Sequence, residues 1–178
     1  MIKLKTMETK NKEVLQIKAI DEKSISFYAS AFNVIDGHND ITHKGTFVET
    51  KKKFEDGKHS IDLIIEHKET FATIGSINEL EIDEIGLVCK ANFSNSPIGK
   101  KAHAQALKMF ETKKEDLLFS IGYMTLKESK TVIEGKNVRS LDNVELGEVS
   151  IVENPSNKEV KVLEVKTEEP SAEAERLR

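Results

Sequence analysis

LLFSIGYMTL, residues 117–126, alternates in a way that sets a strand and a candidate site together. Successive strand side chains point to opposite faces. Phe119, Ile121 and Tyr123 therefore share one face, and Leu118, Ser120 and Gly122 share the other. If the bulky face is core, Ser120 points away from it, beside a glycine that permits close approach by another chain. VELGEVSIV (144–152) has the same character: Val149 and Ile151 lie on one face, with Glu148, Ser150 and Val152 opposite. Glu148 can thus point toward a cleft. IDLIIEH (61–67) is a short, nearly continuous apolar run, as expected of an interior strand, and His67 stands at its end, where a side chain can emerge at the rim.

These three residue types make one kind of chemistry available. A serine hydroxyl is a weak nucleophile until a base takes its proton. A histidine, with an ordinary pKa of about 6.5, can do so near neutrality. A carboxylate can fix the imidazole tautomer and stabilise its cation. The order is His67, Ser120, Glu148, without a G-x-S-x-G elbow. Strand serines and glutamates are also common where they only meet solvent, so the pattern by itself makes the three residues candidates.

Working outward, VLQIKAI (14–20) and SISFYASAF (24–32) read as strands joined at Asp21–Lys23. In the second, Ile25, Phe27, Ala29 and Ala31 alternate with Ser24, Ser26, Tyr28 and Ser30, which predicts one buried face. VIDGHNDITHKGTF (34–47) reads as a turn. Phe47, Val48, Lys51 and Phe54 suggest a short helix stopped at Gly57. FATIGSINELEID (71–83) and GLVCKANF (86–93) read as strands turning near Asp83–Gly86. In SPIGKKAHAQALKMFETKKED (96–116), Ser96 caps and Pro97 opens a helix, with Ile98, Ala102, Ala106, Met109 and Phe110 on one side. LLFSIGYMTL, TVIEGKNVRSL (131–141), VELGEVSIV and VKVLEVK (160–166) read as four more strands. About nine strands with two helices, and no regular strand–helix alternation, predict a mainly β or α+β domain, a mixed β-barrel with peripheral helices, rather than a doubly wound sheet. Residues 1–12 read as a flexible leader, 13–166 as the domain, and 167–178 as a polar, disordered tail.

Composition narrows the function. The 178 residues carry a net charge of −4 and no basic block suited to a phosphate backbone, so nucleic acid is not the expected ligand. No apolar stretch approaches the roughly 20 residues of a membrane helix. MIKLKTMETK lacks a signal-peptide core. A lone cysteine, Cys89, fits a reducing compartment and reads as a small buried strand residue. In DGHNDITH, Asp36, His38, Asp40 and His43 are possible metal ligands, but the histidine spacing matches no common zinc pattern and turn chemistry accounts for the acids. No metal or other cofactor is expected. His103 reads as a surface residue, and Lys51–Lys53 and Lys113–Lys114 as solvated helix positions.

The ordered segments resemble the prohead maturation proteases of tailed phages, serine peptidases that look like relatives of the herpesvirus assemblins. The resemblance runs from about Ser26 to Val165. It is carried by FYASAFNVIDGHNDITHKGTF, by EHKETFATIGSI with a histidine a few residues before Ile-Gly, by GLVCKANF, by FSIGY, and by VELGEVSIVENPSN, similar to a Leu-x-Glu-Val-Ser-x-Val-x-x-Pro-x-Asn pattern. Pro155–Ser156–Asn157–Lys158 departs from the alanine and proline that often flank that asparagine. The resemblance implies an assemblin-like fold, with His67 as base and Ser120 as nucleophile. Glu148 is the implied third member, with Glu145 as a nearby rival. Backbone N–H groups would bind the oxyanion, and an arginine-bearing segment in assemblins makes Arg139 a second candidate. The implied substrates are scaffold protein and the scaffolding segment of the major capsid protein, cut within the immature capsid in the host bacterial cytoplasm. Self-association and self-cleavage near the acidic tail fit the same picture. A non-enzymatic scaffold-binding protein on this fold and a metal-dependent hydrolase built on DGHNDITH are the other classes to be separated from it.

Overall fold

A computed structural model describes residues 19–20, 24–68, 73–112 and 117–153. Eight strands and two helices occur among them. In chain order they are β1 (Ala19–Ile20), β2 (Ser24–Ala31), β3 (Asp40–Thr42), α1 (Val48–Glu55), β4 (Asp62–Ile65), β5 (Gly75–Ile82), β6 (Gly86–Phe93), α2 (Pro97–Thr112), β7 (Leu118–Ile133) and β8 (Lys136–Val152). The strands form one curled, half-barrel sheet in the order β1-β2-β6-β5-β4-β8-β3, with β7 also paired to β8. The fold is mainly β with two helices, as the sequence predicts.

Strand β8 organises the half of the sheet that matters here. Along Glu148–Ile151 it pairs in parallel with β4, and along its whole length it pairs antiparallel with β7. Near its start, Arg139–Leu141 also receives β3 in parallel. Helix α1 is clipped to the same strand: Thr50 Oγ1 donates to Val144 O (2.7 Å) and accepts from Leu146 N (3.1 Å), while Thr46 Oγ1 donates to Leu141 O (2.6 Å). Both threonines are fully buried and so need these partners.

Three expectations about strands need correcting. TVIEGKNVRSL is not a strand of its own. Thr131–Ile133 ends β7, Lys136–Leu141 begins β8, and Glu134–Gly135 is the turn between them. Both turn residues have positive φ (50° and 76°), the geometry that matches strand twist in a two-residue hairpin. Second, β2 is buried on both faces. A bulge between Tyr28 and Ser30 moves the alternation by one. Ala29 then joins the main core, while Ala31 joins Tyr28 and Val88 in a smaller cluster, covered by Val34 and Ile85. Third, β3 falls inside the segment read as a turn. VKVLEVK, the leader, the tail and Lys113–Lys114 lie outside the described residues.

The other elements follow their sequence signals. Ser96 Oγ accepts from Gly99 N (3.1 Å) at the start of α2, whose Ala102 and Ala106 are buried. His103 is half-buried, its ring 5.1 Å from that of Phe93. Cys89 is fully buried in β6, and burial pushes its thiol pKa upward, away from reactivity. The rings of Phe27 and Phe119 stack at 3.7 Å and 4° across the core. That contact fixes which face of β7 is inward, and so aims Ser120 the other way.

Candidate active site

Ser120 is held by β7, directly across from Ser150 of β8. Two residues on, Gly122 stands across from Glu148. His67 arrives from the other side of β8. Strand β4 ends at Ile65, and Glu66 and His67 then both adopt left-handed backbone, with φ of 54° and 53°. Such a conformation costs about 1–2 kcal/mol per non-glycine residue. Four hydrogen bonds hold the turn in place: Lys68 N to Ile65 O (3.1 Å), Glu66 N to Ile151 O (3.0 Å), His67 N to Ser150 Oγ (3.1 Å), and Glu153 N to Glu66 Oε1 (2.6 Å).

The side chains then meet. His67 Nε2 lies 2.9 Å from Ser120 Oγ, and His67 Nδ1 lies 2.5 Å from Glu148 Oε1. A carboxylate only accepts, so Nδ1 carries the proton and Nε2 is free to accept from the serine. The second carboxylate oxygen accepts from Ser150 Oγ at 2.7 Å. The middle member is the most open: the His67 side chain is 42% accessible, that of Glu148 15%, and Ser120 as a whole residue 9%. Space for the carboxylate comes from Gly122. A Cβ at that position would sit 2.2 Å from Glu148 Oε1. The glycine was expected to admit a neighbouring chain, and what it admits is this side chain.

A cavity of about 270 Å³ opens beside Ser120 and His67, walled by Ser30, Asp40, Thr42 and Tyr123 among others. Asp40, 3% exposed, is gripped by Arg139 through Nε to Oδ1 (2.7 Å) and Nη2 to Oδ2 (2.5 Å), a two-pronged pairing that suits a buried carboxylate. Tyr123 O–H donates to Asp40 Oδ2 at 3.2 Å, and burial followed by the Asp40 charge pushes the phenol up to about 12.

The family model described as caudovirus prohead serine protease matches residues 5–174 of this sequence. The chain belongs to that family. It is thus a serine peptidase of the phage capsid-maturation type. No curated protein matches the chain. No helix among the described residues of this prohead protease is long and apolar enough to cross a membrane.

Of the other candidates from the sequence, Asp36, His38 and Asp40 line the cavity of the prohead protease beside Ser120, while Glu145 and Arg139 do not. Glu145 is three residues from Glu148 but forms an ion pair with Lys53, which holds its carboxyl below the usual range. The Arg139 guanidinium is committed to Asp40 and Glu128 and does not line the cavity beside Ser120. In DGHNDITH the four side chains do not converge. Asp36 Oδ1 accepts from His38 N and Asp40 N, both at 2.8 Å, closing the turn before β3. His43 sits between Asn33 Oδ1 and Ser140 Oγ, each at 3.0 Å. Among the described residues no three His, Cys, Asp or Glu side chains are grouped to hold a metal ion. Sequence reasoning gave no role to Ser150, although its place on the Glu148 face was the available signal.

Proposed function

We propose that His67, Ser120 and Glu148 are the catalytic triad of a serine endopeptidase that cuts scaffold protein and the scaffolding segment of the major capsid protein in the immature capsid. The observation that carries this reading is the unbroken line of hydrogen bonds from Glu148 through His67 to Ser120. Ser120 Oγ attacks the scissile carbonyl carbon as its proton passes to His67 Nε2. Glu148 holds the ring by Nδ1–H and stabilises the imidazolium. The oxyanion collapses, the C–N bond breaks, and His67 returns the proton to the departing amine. Water then attacks the acyl-serine by the same route. The cavity beside Ser120 is the place for a substrate side chain. Self-cleavage belongs to the same proposal, since confinement in a shell raises the effective concentration of one copy for another.

A fluorophosphonate reagent tests the chemistry without knowledge of the cleavage sequence. The peptide containing Ser120 gains the phosphonyl mass, and His67→Ala removes that gain. Labelling elsewhere, or none in the wild type, sinks the assignment and favours a non-enzymatic scaffold-binding role. The acid is tested by a pair of variants. Glu148→Gln slows labelling by about 10²–10⁴-fold, because the amide cannot play the carboxylate's part. Glu145→Gln stays within about threefold, since a half-exposed ion pair contributes little.

A further inference from the structure

We infer that Ser150 is a positioning residue that locks the base and the acid of the site to each other. The inference rests on the triad reading above. Ser150 stands on the rung of β8 between Ser120 of β7 and Ile64 of β4, and it is fully buried. A hydroxyl has one proton and two lone pairs. Here the proton goes to Glu148 Oε2 (2.7 Å), and a lone pair accepts the backbone N–H of His67 (3.1 Å). Both ends of the His67–Glu148 contact are therefore fastened to one atom, which lies 3.4 Å from His67 Nδ1.

Each end needs that fastening. Glu148 can turn about its own side-chain bonds, and holding Oε2 keeps Oε1 on Nδ1. His67 is the second of two consecutive left-handed residues, and the bond from its N–H to Ser150 adds to those of Glu66 and Lys68 in holding that turn. Alanine at position 150 leaves the fold's apolar packing intact but frees Glu148 Oε2 and removes one of the bonds that hold the turn, the one made by His67 itself. Ser150 touches no substrate in this arrangement and acts only through its two neighbours.

The test is a double-mutant cycle on the full chain, read as the second-order rate of Ser120 phosphonylation. Ser150→Ala is expected to slow it by about 10–100-fold, the size of effect seen when a group that orients a reactive one is lost. Ser150→Cys, a poorer donor of similar size, falls between. In the Glu148→Gln background the same alanine change has an effect at least about fivefold smaller, since coupled residues do not add. In proton NMR the low-field His67 Nδ1–H resonance moves upfield or broadens in Ser150→Ala, a change that mere loss of stability does not produce. Wild-type labelling by Ser150→Ala, or an undiminished effect beside Glu148→Gln, overturns the proposal. A Ser120→Ala control that still takes label at the same peptide overturns the triad reading instead, so the two failures are distinct.

Discussion

On the proposed reading, Ser120→Ala co-expressed with the capsid protein is expected to leave that protein at its full length, and the wild-type chain to trim it. The expected loss in rate is about 10⁴–10⁶-fold, because the nucleophile and its base act as a unit and removing either forfeits nearly all their joint effect. Folding is not the cause. The serine hydroxyl contributes one bond to His67, and neighbouring Phe119 still stacks on Phe27. The thermal midpoint should shift by no more than a few degrees. Trimming by Ser120→Ala at the wild-type rate means that another residue is the nucleophile.

Gly122→Ala is expected to be the more revealing change. The added Cβ would meet Glu148 Oε1 at 2.2 Å, Cδ at 2.8 Å and Cγ at 2.9 Å. All three atoms belong to a flexible side chain, so the carboxylate moves and the strand does not. Gly75 and Gly86 differ in this respect, since a Cβ at either would press on a backbone oxygen across the sheet and endanger the fold. Displacing Glu148 leaves His67 without its partner at Nδ1, and the loss should match that of Glu148→Gln, about 10²–10⁴-fold. Stability should fall only modestly, because the entropy gain of about 0.4–1 kcal/mol from replacing a strand glycine partly offsets the loss of the Glu148 bonds to His67 and Ser150. A variant that stays folded with a midpoint a few degrees lower yet labels far more slowly fits this account. Wild-type labelling means that the carboxylate does not depend on that space.

Much of this was legible because strands advertise their faces. Alternation in LLFSIGYMTL and VELGEVSIV put Ser120 and Glu148 on the faces where they are found, and the apolar run ending at His67 marked an interior strand. Local signals also sufficed for α2, with its Ser96 cap. What could not be read depends on partners distant in sequence. β3 is a strand only because β8 offers it a ladder at Arg139–Leu141. The second face of β2 is buried because Val34, Thr42 and Ile85, distant in sequence from much of the strand, pack against it. The paired left-handed residues Glu66–His67 carry no glycine to announce them. The commitment of Glu145 to Lys53 crosses 92 residues, so its separation from Glu148 was invisible in the spacing.

The register of β8 has a consequence for how the protein ages and fails. Glu148 and Ser150 lie within three consecutive residues of this strand, while β4 leads into His67 on one flank and β7 carries Ser120 on the other. Among the described residues, only the short turn at Glu66–His67 stands between these strands and the assembled site. Heat or denaturant should consequently abolish labelling of Ser120 as the β4–β8–β7 ladder opens. Quieting such an enzyme by loosening its centre would mean unfolding it, which leaves access to the cavity beside Ser120 as the natural point of control.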